Sequence, residues 1–233
     1  MRNPWEEIDY IKTKAVIFDM FETLITHYNC PLYFGSQMAK DAGISEAEFQ
    51  KIWRPTECDR TTGKISFEQI IEKILKENRC YSEELLNLIV SKRIETKKEC
   101  FENLHNEIIP MLKKLKEQGI LVGLISNCFS EEAEVIRNSV LFPYFDVVCL
   151  SYEEGVQKPD VEIYKRCMNR LLVNADECIY VGDGGSRELE TARELGMKAL
   201  QATWYLREGT FQPTGRMQDF CQLEKPLDIF NYI

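Results

Sequence analysis

Residues 14–24 read Lys14-Ala15-Val16-Ile17-Phe18-Asp19-Met20-Phe21-Glu22-Thr23-Leu24, an apolar run that stops at an aspartate. An unbroken apolar run, rather than an alternating one, fits a strand buried on both faces, as in a parallel sheet. Comparable runs recur at residues 121–125, 147–150 and 178–181, with a weaker one at 198–201. Between them the spacing predicts helices over 110–118, closed by Gly119, over 131–138 after Ser130, over 160–172, and over 188–195, closed by Gly196. Strand and helix alternate, which predicts an α/β fold with a doubly wound, mainly parallel sheet. Ligands of such sheets sit at the carboxyl ends of the strands.

The stretch 27–103 follows different rules. It holds no buried-strand run, and its helix signals follow one another directly. Ser45-Glu46-Ala47-Glu48 and Ser66-Phe67-Glu68-Gln69 both fit a capping box, and Ser82 is placed to cap a helix running through Lys98. An all-helical block that begins after the first strand and ends before the second must be inserted into the α/β unit. The expected organisation is therefore a core of residues 1–26 and 104–233 interrupted by a helical domain of residues 27–103. A chain of 233 residues is long enough for that arrangement and for a sizeable core.

Composition excludes several function classes. With 29 basic against 38 acidic residues the net charge is -9, which repels a nucleic-acid backbone, and no basic stripe interleaved with aromatics offsets it. No segment has the roughly 20 apolar residues that span a bilayer, and Met1 to Glu7 carries no signal-peptide run. Nine cysteines, an odd number without CxxC spacing, read as small hydrophobes in a reducing compartment, so the expected location is the cytoplasm. His27 and His105 are too isolated to suggest a histidine-based metal site.

Four polar stretches fall at the predicted strand ends or helix starts: Asp19 to Leu24, Ser126-Asn127, Lys158-Pro159-Asp160, and Gly182-Asp183-Gly184-Gly185-Ser186-Arg187-Glu188. Each alone reads equally well as a turn or a helix cap: Lys158 as a pre-proline turn residue, Ser126 as a hydroxyl satisfying a strand-end carbonyl, Glu188 as an acid in a first helical turn. Their order is the informative part. Together they resemble the haloacid dehalogenase (HAD) superfamily, from Lys14 to the final strand, with the helical block matching the cap that many members insert after the first strand.

The resemblance implies that Asp19 is a nucleophile forming a covalent aspartyl intermediate. It implies a Mg²⁺ held by Asp19, the main-chain carbonyl of Phe21 and Asp183, with a phosphoryl group bound by Ser126, Asn127 and Lys158. Glu188 stands where the family usually has a second aspartate that reaches the metal directly, through water or through Lys158. The chemistry suits those residue types. A carboxylate attacks phosphorus only when charge is neutralised and the group is aligned, and Mg²⁺ prefers oxygen ligands and keeps several waters. The implied activity is a Mg²⁺-dependent phosphatase acting on a small phosphorylated metabolite.

One position departs from the pattern. Where phosphatases of the family carry an acid-base aspartate, two residues after the nucleophile, this chain has Phe21. Losing such a group costs about 10²–10⁴ in rate, most for alkoxide leaving groups. Either monoester hydrolysis is weak or an activated substrate such as an acyl phosphate leaves unaided, unless Glu22 or His27 substitutes. An aromatic residue there is also similar to the 2-haloacid dehalogenases, which displace halide without metal, but Asp183 argues against that reading. A third reading is a binding protein that kept the fold and lost turnover. Within the block, Arg54, Arg60 and Lys64 are candidate contacts for an anionic substrate, Trp53 and Phe67 read as core, and opening and closing of the cap is expected to exclude water.

Overall fold

The computed structural model describes residues 13–207 and 215–233; the Met1–Glu7 stretch lies outside them. Six strands, β1 (Ala15–Phe18), β2 (Leu121–Ser126), β3 (Val147–Leu150), β4 (Cys178–Gly182), β5 (Lys198–Ala202) and β6 (Cys221–Leu223), form one sheet in the order β3-β2-β1-β4-β5-β6. Every pairing is parallel. The unbroken apolar run of β1 is explained by its place: Ala15 pairs with Leu121 on one side and Cys178 on the other, and all four residues are fully buried. Val16 and Phe18 enter the core on one face of the sheet, while Ala15 and Ile17 enter the core on the other.

Strand order reverses between β1 and β4, the crevice where ligands of open α/β sheets bind. The amide of Asp19 donates to the Val181 carbonyl at 2.9 Å, so the pairing continues one residue past β1 and fixes Asp19 at that crevice.

Between β1 and β2 lie α1 (Gly35–Ala42), α2 (Glu46–Trp53), α3 (Glu57–Thr61), α4 (Phe67–Glu77), α5 (Glu83–Glu102) and α6 (Ile108–Glu117). Of these, α1, α2, α4 and α5 gather around a core of their own, with Met38, Phe49, Phe67, Ile70, Ile71 and Ile74 fully buried or nearly so. Ser45 and Ser66 both close capping boxes, and Ser82 caps α5, which runs four residues past Lys98 to Glu102. Several short elements have no counterpart in the sequence pattern, among them the five-residue α3. The two-turn α1 shows too few apolar positions for a period to register, and β6 is a three-residue edge strand.

The helical block is tied to the α/β unit beside the helix α7 (Ser130–Arg137), which precedes β3 and the four-residue α8 (Ser151–Glu154). Arg93 and Lys97 of α5 meet Glu131 and Glu132 of α7: Arg93 Nε lies 3.0 Å from Glu131 and Nη2 2.9 Å from Glu132, with Lys97 Nζ 2.7 Å from Glu132. All four side chains are buried. The Phe67 amide adds a 2.8 Å hydrogen bond to Ser130 Oγ. No helix among the described residues is long and apolar enough to cross a membrane.

Candidate active site

Asp19, at the end of β1, and Asp183, just past β4, face each other across the switch point because their strands are neighbours in register. Lys158 reaches in from the segment before α9 (Val161–Leu171) and is buried, its Nζ 2.5 Å from both Asp19 Oδ1 and Glu188 Oε2. Its backbone is held by Asn127, which accepts from the Lys158 amide at 2.8 Å and donates to the Lys158 carbonyl at 3.0 Å. Asn127 thus positions the lysine as well as lining the pocket. Ser126 lies one residue earlier, fully buried, and its hydroxyl has no hydrogen-bond partner.

Glu188 opens α10 (Glu188–Glu194) and is completely buried. Its Oε1 accepts from the Gly184 amide at 3.1 Å, and its Oε2 accepts from the Tyr180 hydroxyl at 2.9 Å as well as from Lys158. Tyr180 is a member the motifs do not announce. Its signal is a phenol inside the aliphatic run of β4, buried on both faces, which demands a polar partner. The glutamate arm folds back beneath the strand end against Gly182: a β-carbon there would stand 2.0 Å from Glu188 Oε1. Gly182→Ala should therefore destabilise the fold by about 1–3 kcal/mol, as overpacking does, measured by urea denaturation.

Oxygens of Asp19, Asp183 and Glu188 lie within 4.8 Å of one another. Three carboxylates around one ammonium leave a surplus of negative charge in a buried place. The consequences appear in the proton affinities. Burial and the Glu188 charge push Asp19 up to about 7 against the pull of Lys158. Asp183 is raised well above the usual carboxylate range by burial, Glu188 and Asp19. Burial works against the Lys158 ammonium, but Asp19 and Glu188 overcome it and hold it charged. The remedy for such a cluster is a hard cation, and the donors are the oxygens that one prefers.

The loop after β1 forms the opposite wall. Asp19, Phe21, Glu22, His27 and Tyr28 border a cavity of about 220 Å³ that also reaches Asp183. The Phe21 ring stacks on the His27 ring at 4.8 Å. Glu22, at a left-handed φ of 57°, accepts from Thr26 Oγ1 at 2.6 Å and from the His27 amide at 3.0 Å, with His27 Nδ1 at 3.2 Å. His27 Nε2 is in hydrogen-bond contact with Lys97 Nζ. Burial and the Lys97 charge lower His27 to about 4, so the ring is neutral. Burial works against the Glu22 anion, but the bonds from His27 and Thr26 prevail and keep it ionised.

The structure brings Asp19, Phe21, Asn127, Lys158, Asp183 and Glu188 to one pocket, with Ser126 directly behind it. The cationic side chains of the helical block do not join them. Arg60 is a correction: it is buried between the rings of Trp53 and Phe129, 3.5 Å and 4.3 Å from their centroids, because a planar guanidinium stacks on aromatic faces. Arg54 is exposed and bonded to Gln50, and Lys64 is exposed and paired with Asp59. Trp53 is half-buried, while Phe67 is core.

Residues 13–196 match the sequence profile of the haloacid dehalogenase-like hydrolases, most of the chain. The chain belongs to the haloacid dehalogenase-like hydrolases. Among relatives of this hydrolase is the glyceraldehyde 3-phosphate phosphatase of Methanocaldococcus jannaschii, 34% identical over 90 residues. That match covers 38% of this chain and 40% of the relative, so the chain spans less than half of that relative's length. Among solved structures, a HAD phosphatase from Thermococcus onnurineus superposes with a TM-score of 0.66 at 21% identity, covering 94% of this chain and 97% of that one. An L-2-haloacid dehalogenase superposes with a TM-score of 0.60 at 20% identity, covering 95% and 98%. At those identities the superpositions establish the hydrolase fold and leave the chemistry to the site.

Proposed function

We propose that this hydrolase is a Mg²⁺-dependent phosphatase of small phosphorylated metabolites in the cytoplasm, acting through an aspartyl-phosphate on Asp19. One observation carries the reading: a third acidic group, Asp183, stands beside the Asp19–Lys158–Glu188 cluster and gives it a surplus of negative charge that a cation would offset. The residues fit such an ion. Both Glu188 oxygens are already bonded to Gly184, Tyr180 and Lys158, which leaves Asp19 and Asp183, together with the Phe21 carbonyl that the family resemblance implies, as the groups that would hold Mg²⁺. When bound, Mg²⁺ neutralises charge on the nucleophile and the incoming phosphoryl oxygens.

The protein's own groups do the rest. Asp19 attacks phosphorus, aligned by Lys158, which also offsets charge on the phosphoryl oxygens. The orphaned Ser126 hydroxyl supplies a donor that a phosphoryl oxygen would satisfy, and Asn127 keeps Lys158 in place while offering its backbone N–H. Glu188 acts through Lys158. The helical block of residues 27–103 serves as a cap over the pocket, contributing His27 and Tyr28 to its wall.

Phosphate release from a metabolite panel should fall by at least about 10²-fold when Mg²⁺ is chelated, and Mg²⁺ alone should raise the melting temperature. The aromatic Phe21 favours a second reading, a 2-haloacid dehalogenase. Metal-independent halide release from 2-chloropropionate, with no phosphate release, would establish it instead.

A further inference from the structure

We infer that this site releases leaving groups that depart as stable anions, so that its phosphoryl donors are acyl phosphates rather than phosphate esters of ordinary alcohols. The inference rests on the phosphatase reading and narrows it to a substrate class. It comes from accounting for the polar groups of the wall formed by the loop after β1. An alkoxide is a strong base and leaves phosphorus only as it receives a proton, whereas a carboxylate leaves as it is.

Apart from the Tyr28 phenol, the groups on that wall that could give a proton are already committed. Phe21 has none, and its ring is held flat against His27 at 4.8 Å. Glu22 uses both oxygens as acceptors, Oε1 for the His27 amide and Nδ1 and Oε2 for Thr26 at 2.6 Å, so it is a bound anion rather than an acid. His27 has both ring nitrogens engaged, Nδ1 with Glu22 and Nε2 with Lys97. Lys97 is in turn held by Glu132 at 2.7 Å and is buried, which fixes the chain of contacts from behind. Donating a proton would leave His27 an imidazolate against the Glu22 anion, or Lys97 a neutral amine against Glu132, and would break that chain. Lys158, the buried ammonium, is bound between Asp19 and Glu188, beside the nucleophile. Asp183 would be taken up in holding Mg²⁺ in the phosphatase reading, so among the described residues this leaves the Tyr28 phenol and the Ser186 hydroxyl at the pocket, neither a strong acid.

The step balances without an added acid. An Asp19 carboxylate oxygen forms a bond to phosphorus, the bond from phosphorus to the acyl oxygen breaks, and that oxygen keeps the electron pair and departs as a carboxylate. The aspartyl phosphate so formed is itself an acyl phosphate. Water then attacks phosphorus, the Asp19 carboxylate leaves with its pair, and the water's proton passes to a phosphate oxygen or to solvent. Inorganic phosphate and free Asp19 result.

The test is kcat/KM for the full chain with Mg²⁺ on acetyl phosphate, a series of aryl phosphates of graded leaving-group acidity, and glycerol phosphate. Acetyl phosphate should exceed glycerol phosphate by at least about 10²-fold, with rates across the aryl series falling steeply as the leaving group becomes more basic. Phe21→Asp should flatten that dependence by raising glycerol phosphate turnover about tenfold or more, and Tyr28→Phe should leave the slope where it was. Phosphate release with a shallow slope in the unaltered protein, or a Tyr28→Phe variant that loses only alkyl ester activity, overturns the leaving-group assignment and leaves the phosphatase reading intact. Absence of phosphate release from every compound, acetyl phosphate included, overturns both.

Discussion

Asp19→Asn should lower turnover by at least about a thousandfold while raising the melting temperature of the metal-free protein. The first half follows from chemistry: an amide oxygen is a far weaker nucleophile than a carboxylate. The second half follows from charge. Asp19, Asp183 and Glu188 crowd within 4.8 Å around the single Lys158 ammonium. Two like charges about 4 Å apart repel by about 4 kcal/mol at the effective dielectric of a protein, so removing one carboxylate relieves a cost that a cation would otherwise offset. Asparagine keeps an oxygen for the Lys158 bond. A net gain of about 1–2 kcal/mol, a few degrees in melting temperature, is expected without metal, and a smaller rise than the unaltered protein on adding Mg²⁺. Undiminished turnover would remove Asp19 from the mechanism; a lower metal-free melting temperature would mean that the cluster is not under charge strain.

The parts of this site that follow the strands could be read before any coordinates. Asp19, Ser126 and Asp183 sit where apolar runs end, and in a parallel sheet run ends converge. Lys158 and Glu188 belong to helix starts that the same order brings to the crevice. What the sequence withheld depends on pairing in space. Arg93, Lys97, Glu131 and Glu132 look like four more charges on helical faces, and only the meeting of α5 with α7 turns them into a buried cluster. Arg60 misleads for the same reason, since no local pattern records that Trp53 and Phe129 close on it from two different units. Glu22 and His27 were visible as neighbours of the nucleophile. Their commitment to Thr26 and Lys97, which takes them out of acid chemistry, was not.

That buried cluster carries the second large effect. Glu132→Gln should destabilise the protein by about 3–5 kcal/mol, whereas Glu131→Gln should cost at most about 1 kcal/mol, both read as shifts of the urea midpoint. The two glutamates are neighbours in sequence and equally buried, so the contrast isolates what each one touches. Glu132 Oε1 lies 2.9 Å from Arg93 Nη2 and 2.7 Å from Lys97 Nζ, and Oε2 accepts from the Phe129 amide at 3.0 Å. Glu131 pairs with Arg93 through one oxygen, and among the described residues its second, buried oxygen has no hydrogen-bond partner. Burial works against the Glu132 anion, but Lys97 and Arg93 hold it down at about 2, whereas burial raises Glu131. A carboxyl depressed in the folded state contributes stability that is complete above about 4.5 and is lost as the pH falls toward 2; the raised Glu131 acts in the opposite sense. Between pH 5 and pH 3 the unaltered protein should therefore lose more stability than Glu132→Gln does. Equal costs for the two variants would mean that the cluster behaves as a diffuse charge balance rather than through the Glu132 contacts. The location gives the result a functional side. Lys97 connects Glu132 to His27, and His27 to the ring of Phe21 at the pocket. Any motion of the helical block that separated α5 from α7 would strand two buried cations, so an opening of the pocket would be expected to pivot about this cluster rather than through it. Faster amide exchange along α5 in Glu132→Gln, with α9 unchanged, is the expected signature.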